Sequence, residues 1–317
     1  MGRSLDKAVQ RVEHAEGLGY DSVYVTHIAA RDPLIVLAAY ASGTERIRLG
    51  TGVTPIYART PVATAQAAAT LDELSGGRMV LGLGVSHRVT VENWYGQEIE
   101  KPVRDMRDYV GVVRAILRGQ EPPESERFPT KFQFMGYEAR EDLQIYVAAL
   151  SPAMLRLAGE LGDGVVLWLC VPGYIEEVVI PEVTKGRERA GKDLEGFDVV
   201  AAVPSAVTED VDAARATLRA DLIPYFSLPF YRAMIERAGF EDDVKGFDTA
   251  MERGDTGSAT AAISDRFLGE LAAVGDPETA RRTVRRYRDV GATSPCVGAI
   301  PRTDFDATLE ALAGSLD

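Results

Sequence analysis

The amino-acid sequence predicts an α/β fold with a parallel sheet, of the TIM (β/α)8-barrel type. Residues 37–84 show the alternation most clearly, because they read helix, strand, helix, strand with polar turns at each change. The two strands in this stretch are short apolar runs, typical of parallel strands that helices cover on both faces. The chain of 317 residues also has the length of one barrel of roughly 250 residues with insertions. We therefore expect a single barrel domain over residues 1–317.

Helix signals recur along the chain at the spacing that a barrel of this kind requires. Asp32 is predicted to cap a helix with Pro33 at its first position, and Ser151 with Pro152 repeats the pattern. Ser75 and the two glycines after it close another helix. The predicted helices are residues 5–18, 33–41, 63–74, 104–117, 152–161, 175–190, 211–222, 278–290 and 305–316.

Seven apolar runs alternate with these helices and are predicted to be strands. Strands that alternate with helices of this length imply right-handed crossover units and a parallel sheet, which favours a barrel. The predicted strands are residues 22–25, 47–51, 79–83, 145–150, 165–169, 199–203 and 296–300.

Two segments do not fit the alternation and are predicted to be insertions. Residues 119–142 are rich in proline and charge, with three phenylalanines interleaved, and residues 225–269 contain a helix-like piece and then a glycine- and threonine-rich stretch. Loops of this length in a compact domain are usually functional lids or mobile segments. Residues 253–260 are the part of the second insertion that we expect to be flexible.

Composition and charge exclude several classes of function. A formal net charge of −13 argues against nucleic acid or an anionic membrane as partner, since both attract basic patches. No apolar stretch has the length of a membrane span, and the residues after Met1 do not resemble a signal peptide. Cys170 and Cys296 lie in apolar runs without metal-ligand spacing, which predicts buried side chains and no metal. We expect a cytoplasmic protein that acts on a small molecule.

Four predicted strands end in polar or glycine-containing segments. Active sites of β/α barrels are assembled at the carboxyl ends of the strands, so these segments are the candidates for function. They are Val25-Thr26-His27, Gly50-Thr51-Gly52-Val53-Thr54-Pro55, Gly84-Val85-Ser86-His87-Arg88 and Ala148-Ala149-Leu150-Ser151-Pro152.

Each candidate segment has both a functional and a structural interpretation. His27 fits a general acid or base, or a structural histidine held by hydrogen bonds. Gly52 lets the backbone approach a planar ring closely because it has no Cβ, but an ordinary tight turn uses glycine as well. The turn at Ser151 feeds a helix whose first N–H groups favour a phosphate, although Ser151 also serves as a simple cap.

The residues 37–84 resemble the luciferase-like monooxygenase superfamily. Within it, the chain is similar to the branch that uses coenzyme F420, an 8-hydroxy-5-deazaflavin, and to its methylenetetrahydromethanopterin reductase-like proteins. The run AALSPAMLRLAGELGDGVV at residues 148–166 matches the pattern of the family closely. This resemblance implies an F420-dependent oxidoreductase that transfers a hydride between C5 of the coenzyme and a small organic substrate.

The resemblance also implies roles for individual residues. It places His27 beside the reactive face of the coenzyme as a catalytic acid or base, or as a group that orients substrate. It implies a non-proline cis peptide near Gly52 that supports the middle ring, and a coenzyme phosphate at the turn before Pro152. A histidine at position 87, where sugar-phosphate-oxidising members have a carboxylate, argues against that activity. The predicted coenzyme contacts are Thr26, Gly52, Val53, Thr54, Ser86, His87, Ala149, Leu150, Ser151 and Gly164.

Three further expectations follow from the resemblance. Family members begin with a strand before the first helix, and here only residues 1–4 precede it, so the first strand is expected to be missing or truncated. By analogy, the protein is expected to form a homodimer through helices of the first half of the barrel. An FMN-dependent monooxygenase of the same fold is the alternative function, and a non-catalytic barrel subunit that has lost coenzyme binding is another.

Overall fold

The described part of the chain, residues 4–315 of a computed structural model, forms two compact units. The first unit comprises the residues up to Ala149, Arg156–Val166 and Lys185–Phe197. The second comprises Leu150–Leu155, Leu167–Thr184 and the residues from Asp198 onward. The expected organisation as one domain over residues 1–317 stays a prediction.

The first unit contains a parallel sheet with helices between its strands. Its helices are α1 (Leu5–Gly17), α2 (Pro33–Gly43), α3 (Pro61–Leu74), α4 (Arg88–Tyr95) and α5 (Pro102–Leu117). Its strands are β1 (Ser22–Val25), β2 (Arg48–Thr51), β3 (Thr54–Pro55), β4 (Met79–Gly84), β5 (Gln144–Ala148) and β6 (Gly164–Leu167, with its last residue in the second unit). The order in this sheet is β1, β2, β4, β5, β6, with β3 beside β4, and these pairs are parallel.

Helix caps in the first unit follow the local sequence. Oδ1 of Asp32 accepts hydrogen bonds from the amides of Leu34 and Ile35 at 3.0 and 3.2 Å, as the sequence predicts. The start of α3 was predicted two residues too late, because Thr60 caps this helix and Pro61 occupies its first position. Proline at a first helical position has no amide that would need a partner.

The core of the first unit is built around β4, which is buried along its whole length. Leu37 from α2 and Leu49 from β2 have no solvent-exposed surface, which fits a sheet covered by helices. A strand buried on both faces reads as a continuous apolar run, and the sequence of β4, MVLGLG, has this form.

Glu16 at the end of α1 fixes the chain just before β2. Its carboxylate accepts hydrogen bonds from three consecutive amides, at 3.1 Å from Glu45, 2.6 Å from Arg46 and 2.7 Å from Ile47. Desolvation raises the pKa of the Glu16 carboxyl, but these backbone hydrogen bonds together with the nearby Arg46 outweigh it, so the pKa is lowered overall.

The first insertion, residues 119–142, has neither helix nor strand, in agreement with the sequence. Its second half is fixed to α3, because the Arg140 guanidinium makes a bidentate ion pair with Asp72 at 2.8 and 2.9 Å. Oδ1 of Asp72 also accepts from the amide of Met79, which begins β4. The second half of this insertion therefore lies near the amino end of β4.

The second unit is mostly helical. Its strands are β7 (Asp198–Val207), β8 (Ala273–Gly275) and β9 (Ser294–Ala299), and β8 and β9 both pair with β7 in parallel. Two helices have residues in both units, namely α6 (Pro152–Leu161) and α8 (Ile180–Arg189). The other helices are α7 (Pro172–Tyr174), α9 (Val211–Phe226), α10 (Pro229–Arg237), α11 (Glu241–Glu252), α12 (Thr256–Ala262), α13 (Asp265–Leu271), α14 (Pro277–Asp289) and α15 (Phe305–Leu312). A π-helical turn over Ile175–Val179 joins α7 to α8.

The second insertion, residues 225–269, is largely helical and packs around a phenylalanine core. The ring of Phe226 contacts the rings of Phe247 and Phe267 at centroid distances of 5.5 and 5.7 Å. Residues 253–260, predicted to be flexible, contain the start of α12, which Asp255 caps and in which Ala259 is fully buried. Glycine and threonine in the sequence concealed a short helix that depends on its cap.

The α/β fold class with parallel strands is confirmed, and all seven predicted strands are present as β1, β2, β4, β5, β6, β7 and β9. Within residues 4–315 a helix precedes β1, as the sequence indicates. The last helix ends at Leu312, earlier than predicted, and Leu316 lies outside the described residues. No helix among the described residues is long and apolar enough to cross a membrane.

Candidate active site at the carboxyl ends of the strands

A bulge interrupts the sheet of the first unit where β2 ends. Gly50 is in register with Val80, but the next registered pair is Thr54 with Leu83, so β2 and β3 use one more residue than β4 over this distance. An extra residue of this kind bends the strand and redirects its side chains. The hydroxyl of Thr51 replaces the missing ladder bonds. It accepts from the amide of Gly82 at 2.9 Å and donates to the carbonyl of the same residue at 2.7 Å.

The peptide bond between Gly52 and Val53 within this bulge is cis. The non-proline cis peptide that the resemblance implies near Gly52 is thus confirmed. The side chain of Val53 lies against β4, since a Cβ added to Gly82 would come within 3.2 Å of its Cγ1 and one added to Gly84 would collide with its Cγ2. The glycines of β4 thus leave the room that the bulge occupies.

His27 follows β1, the strand that lies beside the bulge. Its Nδ1 atom is buried and, within residues 4–315, has no hydrogen-bond partner. The same holds for Oγ1 of Thr54, which is the first residue of β3. Buried polar atoms are nearly always hydrogen-bonded, so two such atoms at neighbouring strand ends indicate the position of a ligand.

Burial also sets the protonation of His27. Desolvation lowers the pKa of this imidazole below its usual value, while the Asp32 carboxylate raises it and the Arg59 guanidinium lowers it further. Asp32 and Arg59 form an ion pair with each other, and their charges shift the pKa of the histidine in opposite directions. The imidazole is therefore neutral at neutral pH, and in that form it can accept a proton.

The ring of His27 also contacts an aromatic side chain that the sequence analysis did not assign. The ring of Tyr95 meets it edge to face, with a centroid distance of 6.3 Å. Tyr95 ends α4, a helix that the sequence analysis missed because it has eight residues and no side-chain cap. The sequence signal for this helix is Gly96, which ends it in the left-handed conformation that glycine favours.

Ser86 and His87 lie at the carboxyl end of β4, as predicted. Ser86 has a φ of 60°, a left-handed conformation that is uncommon for residues other than glycine. His87 is partly buried, and desolvation lowers the pKa of its imidazole. Both residues therefore lie in the same unit and at the same edge of the sheet as His27 and Thr54. Thr26 also lies there, but it is exposed.

The predicted phosphate turn precedes α6. Ser151 caps this helix, with its carbonyl accepting from the amide of Leu155 at 2.9 Å and its hydroxyl from that of Met154 at 3.4 Å. The carbonyl of Leu150 accepts a hydrogen bond of 2.7 Å from the hydroxyl of Tyr174.

Two predicted coenzyme contacts need correction. The amide of Ala149 donates to the carbonyl of Val166 at 3.3 Å, so it is used by the sheet and is not offered to a ligand. Gly164 begins β6 and is in register with Tyr146, which places it at the amino end of that strand. The other candidates of the sheet lie at carboxyl ends, so Gly164 does not belong with them. The predicted strand begins at residue 165, one residue later than β6, which leaves Gly164 in the preceding loop.

Comparison with known proteins shows the family of this chain. Residues 1–294 match the family described as luciferase-like monooxygenase. The chain belongs to the luciferase-like monooxygenase family. It is 31% identical over 295 residues to the 5,10-methylenetetrahydromethanopterin reductase of Archaeoglobus fulgidus, which covers 91% of this chain and 88% of that protein.

Two solved structures show the same fold as this member of the luciferase-like family. The coenzyme F420-dependent tetrahydromethanopterin reductase of Methanopyrus kandleri matches with a TM-score of 0.80 at 24% identity, over 98% of this chain and 94% of that chain. An F420-dependent secondary alcohol dehydrogenase, in complex with an F420–acetone adduct, matches with a TM-score of 0.76 at 20% identity, over 98% and 94%. The TIM-barrel-like fold class predicted from the sequence is therefore confirmed.

The residues at these strand ends fit coenzyme F420, which the names of both solved structures include. The unpartnered Nδ1 of His27 and Oγ1 of Thr54 offer polar contacts at the edge of the sheet, and the bulge at Gly52 and Val53 offers a backbone surface. Among the described residues, no cluster of histidine, cysteine or acidic side chains could hold a metal ion.

Proposed function

We propose that this chain is an F420-dependent oxidoreductase that transfers a hydride between the coenzyme and a small organic substrate. Membership in the luciferase-like family supports this proposal, and so does a relative from Mycobacterium tuberculosis, 31% identical to this chain, that is named as a putative coenzyme F420-dependent oxidoreductase. The observation that carries it is a pair of buried polar atoms, Nδ1 of His27 and Oγ1 of Thr54, that have no partner within residues 4–315 and lie at the edge of the sheet that carries the bulge at Gly52 and Val53.

Coenzyme F420, when bound, supplies a hydride donor or acceptor at C5 of its deazaflavin ring. The residues of the bulge would support the ring system from one side, because their backbone projects beyond the regular sheet. Thr54 and His27 would then complete their hydrogen bonding with the bound molecules. Ser86 and His87 would contact the coenzyme or the substrate from the neighbouring strand end.

His27 is proposed to handle the proton that accompanies hydride transfer. Its neutral imidazole can accept a proton from a substrate hydroxyl and return it in the reverse direction. Tyr95 against one edge of the ring, and the ion pair of Asp32 with Arg59 nearby, keep the imidazole in a defined environment. The Nδ1 atom of His27 is buried, so bulk water does not compete for its hydrogen bond.

The turn before α6 is proposed to bind the phosphate of the coenzyme. The amides of Leu150 and Ser151 would provide hydrogen bonds, and the positive end of the helix dipole adds a favourable field. Replacing Ser151 by Asp preserves a helix cap but places a negative charge against the phosphate. We expect coenzyme affinity to fall while the fold is retained. Ser4→Asp, which makes the same change at the cap of α1, is the matched control.

Titration of the purified protein with coenzyme F420 and with FMN tests the proposal. The two ligands differ in absorbance and fluorescence, so their binding can be measured separately. Tight binding of F420 with weak binding of FMN is the expected result. Preference for FMN would favour the FMN-dependent monooxygenase instead. A folded sample that binds neither would support the non-catalytic alternative, and Ser151→Asp with unchanged F420 affinity would place the phosphate elsewhere.

A further inference from the structure

Tyr174 holds the turn before α6 from within the second unit. Its side chain is 1% exposed, and its hydroxyl donates to the carbonyl of Leu150 at 2.7 Å. Desolvation raises the pKa of this phenol to about 12, with Arg237 opposing the shift, so the hydroxyl keeps its proton and remains a donor at any pH at which the protein is used. Tyr174 is also the last residue of α7, the first turn of a helix that continues through the π-helical turn.

The hydrogen bond to Leu150 fixes more than one carbonyl. The carbonyl of Leu150 and the amide of Ser151 belong to the same planar, trans peptide group, in which C=O and N–H point in opposite directions. A partner that holds the carbonyl therefore holds the amide as well. Tyr174 thus directs the N–H of Ser151 away from itself.

The other side of Ser151 is held by α6. Its carbonyl accepts from the amide of Leu155 at 2.9 Å and its hydroxyl from the amide of Met154. Both peptide groups of Ser151 are consequently fixed, one by Tyr174 and the other by the helix. An anion site built from amides depends on such prior orientation, because binding then requires no reordering of the backbone.

We propose that Tyr174 is a positioning residue that orients the Ser151 amide toward the coenzyme phosphate. This inference rests on the proposed function, since it needs a phosphate-bearing ligand at this turn. Tyr174 itself does not contact the ligand. Its contribution is confined to the phosphate, so the deazaflavin ring and its substrate chemistry are independent of the Tyr174 hydroxyl.

Tyr174→Phe removes the hydroxyl and retains the ring that fills the core. The matched control is Tyr287→Phe, because Tyr287 is also fully buried in the second unit and its hydroxyl likewise donates to a backbone carbonyl, that of Leu271, at 2.9 Å. Two probes are titrated into the wild type and both variants by fluorescence. One is coenzyme F420, and the other is its deazaflavin riboside, which lacks the phosphate.

We expect Tyr174→Phe to bind F420 about tenfold more weakly, because this is the typical effect of losing one buried hydrogen bond. The affinity for the riboside should be unchanged. Tyr287→Phe should leave the ratio of the two affinities at the wild-type value. Both ligands are titrated into the same sample. Partial unfolding therefore reduces the amount of binding-competent protein equally for both and does not alter the ratio of their affinities.

An unchanged ratio of the two affinities in Tyr174→Phe would overturn the inference. This ratio stays unchanged if neither affinity falls, and also if both fall by the same factor, which is the result of a purely structural role. Failure of the proposed function gives a different result. In that case the wild-type protein itself binds neither F420 nor the riboside.

Discussion

The proposed role of His27 depends on the burial of its side chain and on a hydrogen-bonding atom that has no partner within residues 4–315. The two remaining histidines differ from it, because His14 is exposed on α1 and His87 has another interaction within the protein. The imidazole of His27 follows the end of β1, and the paired charges of Asp32 and Arg59 act on its pKa in opposite directions. A structural histidine would have satisfied this nitrogen within the fold.

We expect His27→Ala to lower turnover by roughly 10²- to 10⁴-fold with little change in coenzyme affinity, the usual effect of removing a general acid or base. The pKa of His27 lies below its usual value of 6.5, so wild-type turnover should persist through pH 6.5 and decline below it as the imidazole becomes protonated. The variant should lack this acid limb. Turnover is measured from pH 5 to 8 with saturating coenzyme.

His14→Ala is the control for the loss of a histidine. A lowered melting temperature in His27→Ala, with near-normal turnover in the folded fraction, would contradict the catalytic assignment. His87 would then be the next histidine to replace.

Glu16 shows how one carboxylate can organise a strand start, and it leads to a prediction of stability. Glu16→Gln should lower the free energy of unfolding at pH 7 by about 1–3 kcal/mol, because a neutral amide replaces the charged carboxylate that accepts from three backbone amides. The folded-state pKa of Glu16 is below its ordinary value of 4.5, so its contribution is complete above pH 4.5 and is lost as the pH falls through the lowered value.

Urea denaturation at pH 7 and at pH 4 measures this contribution. The difference between the wild type and Glu16→Gln should be smaller at the lower pH. Glu13→Gln, an exposed carboxylate on the same helix, serves as the control. Equal stability of Glu16→Gln and the wild type at pH 7 would show that the three amides are satisfied equally well by water.

Among the elements, β4 and the bulge opposite it depend on each other. The chain at Gly52 and Val53 leaves the regular sheet, and the absence of side chains at Gly82 and Gly84 provides the space. A Cβ on Gly82 would collide with the backbone carbonyl of Thr51, which cannot move without breaking the hydrogen bonds of the bulge.

We expect Gly82→Ala to destabilise the protein by about 1–3 kcal/mol, the typical effect of overpacking in a buried site, and to weaken coenzyme binding. Gly17→Ala is the control, since a Cβ there has no other heavy atom within 4 Å. Chemical denaturation and F420 titration are measured on both variants. Normal coenzyme affinity in a folded Gly82→Ala would separate the bulge from the coenzyme site.

Considering the whole molecule, the sequence predicts the repeated alternation of helix and strand because most elements are long enough to show a hydrophobic periodicity. The seven main strands, the cap at Asp32 and the candidate segments at His27 and Gly52 follow from local patterns. β3 and β8 have two and three residues, which is too short for a period to be seen. They exist because β4 and β7 offer them free backbone groups.

Tertiary contacts explain what the sequence could not predict about the site. Tyr95 contacts His27 and Arg59 pairs with Asp32 across tens of residues, and no local pattern connects these side chains. The hydrogen bond from Tyr174 to Leu150 has the same character. The second insertion was misjudged because its helices are stabilised by contacts among phenylalanines from different helices.

The oligomeric state also belongs to the scale of the whole molecule, and a homodimer remains our prediction. The helix α2 is apolar on nearly all sides, and Ile35 on it is 67% exposed. We expect light scattering to give the mass of a dimer and Ile35→Lys to shift the protein toward monomer. Met135→Lys, a change at a 96% exposed position of the first insertion, is the control. A monodisperse wild-type monomer would contradict this prediction.

The hydroxyl of Thr51 has a consequence for how the sheet moves. It holds both backbone groups of Gly82, so a rotation about a single side-chain bond can release that amide while the neighbouring ladder stays intact. Deuterium exchange at Gly82 would then report a small local opening, faster than the exchange of the amides of β4 that are bonded to backbone. The wall behind the proposed coenzyme site can in this way loosen and close again without any separation of strands.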